Sequence, residues 1–144
     1  MKYLNIKKIL DVTEGKMLTG DENFICKDFS KDTRIIKKGD TYIGIKGEKF
    51  DGNLFWKEAL EKGAECVIVS NVNITKEEIE KFKSKTIIIV EDTLEALYKI
   101  AKAKRELYNV PVIAITGSVG KTSTKDIVAN VVSIKYKTLK TIRK

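Results

Sequence analysis

The chain has 144 residues, which suits one domain or one small domain plus part of another, and is 42% hydrophobic, enough to bury a real core, so disorder is not the default reading. Its 28 basic residues against 20 acidic ones leave a net charge of +8, which favours anionic partners such as nucleotides, nucleic acid or acidic sugars without choosing among them. Histidine is absent, and Cys26 and Cys66 lack metal-type spacing, so a zinc site and a histidine-based catalytic triad are set aside and nothing points to an oxidising compartment.

The start, "MKYLNIKKILDV", carries lysines among its apolar positions and lacks the apolar centre of a signal peptide. Leu4, Ile6, Ile9, Leu10 and Val12 recur at helical spacing, so a short amphipathic helix with a glycine stop at Gly15 is expected. "TYIGIKG" alternates as a strand does, after a turn at Gly39-Asp40. "LFWKEALEKGAECVIVS" reads as a helix ending at Gly63 that feeds a strand, in which Cys66 is a small buried hydrophobe. Thr75 followed by Glu78 has the capping-box spacing at the start of the next helix, whose apolar positions are Ile79 and Phe82.

"KTIIIVED" is a continuous apolar strand of the parallel, doubly covered kind. The helix "TLEALYKIAKAKRELYNV" is expected to present Leu94, Leu97, Ile100, Ala101 and Leu107 on one stripe, with Tyr98 and Tyr108 structural. Pro111 opens a strand "PVIAITG", a helix with Ile127, Val128, Val131 and Val132 follows, and "YKTLKT" is a further strand candidate. Alternating strands and helices predict an α/β fold with a largely parallel sheet, and the seam between domains is placed near Glu91 to Thr93. Every purely apolar run is too short to cross a bilayer, so a soluble, cytoplasmic protein without membrane insertion is expected. No recognition motif or basic-aromatic cluster supports nucleic-acid binding.

"VIAITGSVGKTSTKD" carries the chemistry. Gly120, Lys121 and Thr122 fill the last three places of a phosphate loop, while Ile115 stands at the usual first glycine and Gly117 supplies an extra one. Glycines let backbone N–H groups turn inward, and the helix that starts there favours an anion at its N-terminus. Lys121 would reach the β- and γ-phosphates of a nucleotide, Thr122 would offer its hydroxyl to Mg2+, and Ser118 and Ser123 would add donors. The cofactor-binding set is therefore Gly117, Ser118, Val119, Gly120, Lys121, Thr122 and Ser123, with Lys121 and Thr122 catalytic and Thr122 the metal residue. The motif points to a nucleoside triphosphate and leaves the reaction open.

"TGSVGKTSTKD" resembles the phosphate loop of the Mur ligases, the ATP-dependent amide-forming enzymes of peptidoglycan synthesis, whose pattern also lacks the first glycine. A second block is similar to their amino-terminal substrate domain: Asp32-Thr33-Arg34, Gly39-Asp40, Tyr42, Lys46-Gly47, Asp51-Gly52-Asn53 and Gly63-Ala64 stand in the family's order. Asn53 departs from the histidine common in the family.

The resemblance implies an amino-terminal UDP-sugar-binding domain over residues 1–91. It implies an incomplete ATP-binding domain, its first strand, loop and helix, over residues 92–144. The branch it most resembles joins D-Ala-D-Ala to UDP-MurNAc-tripeptide through an acyl phosphate. The remaining magnesium ligands and the acceptor site would lie beyond Lys144, in what is expected to be a monomer not competent in this portion alone. Thr33, Arg34, Lys46, Gly47, Asp51 and Gly52 are the implied substrate-binding residues, with Arg34 a fork-shaped donor for phosphate. Plainer alternatives stand beside them: a surface pair for Asp32 and Arg34, a strand end for Lys46-Gly47, a turn requirement for Gly52. Phe50, Phe55 and Trp56 are read as core. An inactive nucleotide-sugar-binding module and another phosphate-loop NTPase are the competing functions.

Overall fold

The computed structural model describes residues 2–142, which fall into two compact units, one ending at Asn109 and one starting at Val110. Among the described residues the first unit holds seven strands: β1 (Leu4–Asn5), β2 (Lys16–Thr19), β3 (Ile25–Cys26), β4 (Phe29–Ser30), β5 (Thr41–Ile43), β6 (Cys66–Val69) and β7 (Thr86–Ile89). Its helices are α1 (Ile6–Thr13), α2 (Trp56–Glu61), α3 (Lys76–Lys81) and α4 (Thr93–Glu106), with a 3-10 turn over Gly52–Phe55. The main sheet runs β2-β7-β6-β5-β4; β4 to β7 are mutually parallel and β2 closes one edge antiparallel to β7. A separate ribbon pairs β1 with β3.

The sheet is covered on both faces, which is why β6 and β7 are apolar without alternation. Successive side chains of a strand leave opposite faces. Cys66 and Ile68 join Ile6, Ile9, Ile43, Ile88, Ala96 and Ile100 in the core under α1 and α4. Val67 and Val69 join Tyr42, Trp56, Leu60, Phe82 and Ile87 in the core under α2 and α3. Trp56 and Phe82 meet edge to face, centroids 5.6 Å apart. The Thr75 capping box forms in full: Glu78 N donates to Thr75 Oγ1 at 3.2 Å, and Thr75 N donates to Glu78 Oε2 at 2.9 Å.

Several local expectations are corrected. Glu14, not Gly15, takes the left-handed position that ends α1, with φ 57°. Gly15 is needed for space instead, since a Cβ there would stand 2.9 Å from Ile88 Cγ2. The buried face of α4 is Thr93, Ala96, Ile100 and Ala103. Leu97 and Leu107 pack at its margin, whereas Leu94 is 63% exposed and Tyr98 72%. Tyr108 is structural: its hydroxyl accepts from Lys2 N at 2.9 Å and donates to Lys2 O at 3.1 Å. The compact unit runs to Asn109, so α4, placed by the sequence beyond the seam, shares its core with the first unit.

In the second unit, α5 (Lys121–Ser133) forms as expected. Residues 111–117 form no strand ladder, and 136–141 form no strand either. A ladder requires a neighbour, and apolar pattern alone does not provide one.

Candidate functional site

Two of the expected substrate stretches leave the carboxyl ends of adjacent parallel strands. β4 runs directly into Lys31–Arg34, and β5 runs into the Gly44–Gly47 loop. In open α/β sheets that end is where ligands are held.

Arg34 is turned onto its neighbour. Its Nε donates to Asp32 Oδ1 at 2.9 Å and its Nη2 to Asp32 Oδ2 at 2.6 Å, and its backbone N–H adds a third bond to Oδ1 at 2.9 Å. The guanidinium beside it holds the Asp32 carboxyl down at about 2, and the carboxylate in turn raises the Arg34 pKa. The Arg34 side chain stays 83% exposed, so the fork is available to an incoming anion by exchange of one acceptor for another. Thr33 Oγ1 donates to Glu58 Oε1 at 2.9 Å, and Glu58, beside Lys62 and Thr33, is itself held below its usual range. Glu58 was not singled out in the sequence; it lies on α2, and no local pattern announces a partner so far along the chain.

The second loop is pinned by backbone contacts. Lys46 and Asp51 face each other across an isolated antiparallel bridge. Gly47 N donates to Phe50 O at 2.9 Å, and Gly52 N to Ile45 O at 3.0 Å. Gly52 is buried, and a Cβ there would stand 2.5 Å from Ile45 O, so close packing of two backbones accounts for this glycine. Asp51 Oδ1 accepts from Asn53 N at 2.9 Å and Nδ2 at 2.7 Å, while Asn53 Oδ1 accepts from Ser70 N at 2.9 Å. Asn53, 2% exposed, is thus a structural tie between this loop and the end of β6.

Tyr42 joins the two stretches. Its hydroxyl donates to Gly52 O at 2.7 Å. Burial pushes its pKa up to about 12, helped by the negative charges of Glu58, Asp32 and Asp51. Asp32 of the first stretch, Asp51 of the second and Glu58 of α2 thus all act on one hydroxyl, and the Thr33–Glu58 and Tyr42–Gly52 bonds tie the two stretches to the same strand-helix junction. Of the aromatics read as core, Trp56 is buried, but Phe50 and Phe55 stand out at 65% and 40% exposure as an edge-to-face pair beside this loop.

The phosphate-loop residues lie in the second unit. Gly117 and Gly120 have φ of 149° and 79°, conformations that side chains resist, and neither glycine is crowded by a close neighbour. Gly120 caps α5 without a side-chain hydrogen bond, so among the described residues the N-cap offers no side-chain acceptor to the first-turn N–H groups of this 13-residue helix. Lys121 Nζ curls back to Gly117 O and, at 3.4 Å, to Ser118 O, holding its charge at the mouth of the loop. Uncapped N–H groups, a lysine ammonium and exposed Ser118, Thr122 and Ser123 hydroxyls are a donor set that fits phosphate oxygens.

The profile described as "Mur ligase family, catalytic domain" matches residues 30–105, more than half of the chain and all of the Asp32-to-Asn53 block. The chain belongs to the Mur ligase family. Among relatives, the UDP-N-acetylmuramoyl-tripeptide–D-alanyl-D-alanine ligase of Synechocystis is 38% identical over 134 residues, covering 92% of this chain and 28% of its own length. The crystal structure of MurF from Acinetobacter baumannii superposes with a TM-score of 0.75 at 26% identity, over 94% of this chain and 28% of that one. The MurF ligase of Thermotoga maritima, solved in complex with ADP, superposes at 0.64 with 31% identity over 76% of this chain and 24% of its own. The chain thus spans under a third of the length of the relatives it matches. Its α/β fold is that of the Mur-ligase substrate-binding domain. Among the described residues no helix is long and apolar enough to cross a membrane.

Proposed function

We propose that this chain is the amino-terminal portion of an ATP-dependent ligase that joins D-Ala-D-Ala to UDP-MurNAc-tripeptide in cytoplasmic peptidoglycan-precursor synthesis. The observation that carries the reading is the presence in one chain of an uncapped, lysine-bearing helix N-terminus at Gly117–Ser123 and, in the other unit, a donor cluster at the carboxyl ends of β4 and β5. Similarity to UDP-N-acetylmuramoyl-tripeptide–D-alanyl-D-alanine ligases over more than nine-tenths of the chain supports the choice within the family.

In this reading Thr33, Arg34, Lys46, Gly47, Asp51 and Gly52 form the uridine-diphosphate end of the site. Arg34 leaves Asp32 to grip a phosphate with two parallel N–H bonds, and Lys46 adds a point charge. Gly52 contributes by letting the Asp51 turn sit against Ile45, a positioning role. Gly117 to Ser123 cradle the triphosphate with backbone N–H groups. Lys121 releases its own loop carbonyls to neutralise phosphate charge, and the Thr122 hydroxyl is the residue that would hold Mg2+. ATP and the ion supply the phosphoryl group and charge neutralisation that activate the tripeptide carboxylate. The working protein is read as a monomer with neither nucleic-acid nor membrane partners.

A second reading, a nucleotide-sugar-binding module without ligase activity, draws on one observation: α5 buries none of its residues, so the phosphate-loop unit lacks a core of its own. Calorimetric titration of the chain with UDP-MurNAc-tripeptide and, separately, with Mg-ATP tests both. The ligase reading expects both to bind, Arg34→Ala to weaken the first at least about tenfold and Lys121→Ala to remove the second. Binding of the sugar nucleotide alone favours the module, and binding of neither sinks both readings.

A further inference from the structure

One carboxylate oxygen fixes the hydrogen-bond direction of an expected substrate residue. Glu58 Oε1, on α2, accepts from Thr33 Oγ1 at 2.9 Å and from Lys62 Nζ at 2.7 Å. The Lys62 ammonium first, and the Thr33 hydroxyl after it, hold the Glu58 carboxyl below its usual range, so at neutral pH it is ionised and has no hydrogen to give. Thr33 is therefore the donor of this bond. A threonine hydroxyl has one hydrogen and two lone pairs. The hydrogen is committed to Glu58, and among the described residues no N–H or O–H is bonded to Thr33 Oγ1. Thr33 is half-buried just past the carboxyl end of β4, and what it has left for a ligand is an acceptor.

Arg34, the next residue, offers the opposite. Its guanidinium carries donors only, and its side chain is 83% exposed. A phosphate oxygen at neutral pH is an acceptor. It suits Arg34 and not Thr33, because two acceptors brought together leave both unpaired. Adjacent residues thus present a charged donor and a neutral acceptor, and a ligand that satisfies both has a donor group close to its phosphate. In uridine diphosphate the ribose hydroxyls and the ring N–H are the groups of that kind.

We propose that Glu58 is a positioning residue of the nucleotide-sugar site: by accepting the Thr33 O–H it fixes that hydroxyl as an acceptor, so the group Thr33 receives is a neutral donor of the nucleoside and not a phosphate oxygen. The inference rests on the nucleotide-sugar reading given above. Glu58 acts through Thr33 and does not touch the nucleotide. Lys62, one turn further along α2, holds the carboxylate in place from its other side. Because α2 follows directly on the Gly52–Phe55 turn, the same carboxylate also couples the Thr33 stretch to the Asp51 stretch.

The test titrates the 144-residue chain with UDP, 2′-deoxy-UDP, 3′-deoxy-UDP and 3-methyl-UDP, following the backbone amide NMR signals of Thr33 and Arg34. Each analogue lacks one donor and keeps both phosphates. One analogue is expected to bind about tenfold more weakly than UDP, which identifies the donor as one ribose hydroxyl or as the ring N–H. Thr33→Val should bind UDP and that analogue equally. Glu58→Gln should keep the discrimination, since its amide oxygen still accepts from Lys62 and Thr33. Glu58→Ala frees the hydroxyl and should bring the ratio within about twofold. A Glu58 that served folding alone would shift every affinity together and leave the ratio as it was. UDP binding with no analogue weakened, or with all three weakened equally, would overturn the proposal and leave the nucleotide-sugar reading standing; neither outcome depends on a variant that must fold. A ratio unchanged in Glu58→Ala would remove Glu58 from the role. No binding of UDP would overturn both.

Discussion

Asp32 and Arg34 show what a single pair can reveal. The Asp32 carboxyl sits at about 2 because the Arg34 fork and backbone N–H bond its charged form. A depressed carboxylate favours the folded state above its ordinary value of 3.8, and that contribution is lost as pH falls from 3.8 through about 2. Solvent screens so exposed a pair, so the effect on stability is small and the titration is the better readout. Carboxyl-carbon NMR should find the Asp32 midpoint near 2, and Arg34→Ala should return it toward 3.8; a midpoint unmoved by that change would remove Arg34 as the cause. Gly52 makes the opposite case, a residue whose role is space. An added Cβ would meet Ile45 O at 2.5 Å and Ile45 N at 2.9 Å, and backbone cannot step aside as a side chain can. Gly52→Ala should therefore cost about 2 kcal/mol or more in urea unfolding. Arg34 and Lys121 stand out as candidates in the sequence because their motifs are local. Glu58, bonded to Thr33 across 25 residues, was not, because its partner is set by the fold.

Elements whose cause is local were read well, and those whose cause is distant were not. The α3 capping box is written in Thr75 and Glu78, and it formed with both reciprocal bonds. Thr75→Ala should lower stability by about 1 kcal/mol, with thermal unfolding as the measure; no change would mean that packing of Phe82 alone holds the helix. Likewise "CVIV" and "TIII" declared buried parallel strands by composition. By contrast β2, β3 and β4 are two to four residues long and exist through pairing with β7, β1 and β5, so nothing periodic marks them. The apolar stripe expected of α4 holds at Leu97, Ile100 and Leu107 and fails at Leu94 and Ala101, which are exposed. Small Ala96 and Ala103 face the core that α4 shares with α1, while larger Leu94 is exposed. Helix pattern says that a face is buried; the neighbour's distance decides which residues can occupy it.

At the scale of the whole molecule the two units differ in what holds them. The first unit has two apolar cores, one on each face of a five-stranded sheet, and its interior strands exchange hydrogen bonds on both sides. In the second, residues 111–117 have no ladder, α5 has no buried residue, and Ile127, Val131 and Ile134 form an apolar stripe with exposures of 64%, 62% and 86%. An isolated helix of this length is marginal in water, because propagation barely repays nucleation without tertiary packing. Amide hydrogen exchange should therefore separate the units within one experiment. Protection should approach the global unfolding free energy in β6 and β7 and be near zero over Lys121 to Ile134. A chain cut after Asn109 should melt at the temperature of the 144-residue chain, since every residue of both cores precedes that point. Slow exchange throughout α5, or a clear fall in melting temperature on truncation, would show that the phosphate-loop unit draws stability from contacts beyond its own. Addition of Mg-ATP sharpens the comparison. A ligand that binds only the ordered loop must supply the ordering energy, so protection gained at Lys121 to Ser123 measures binding and folding together.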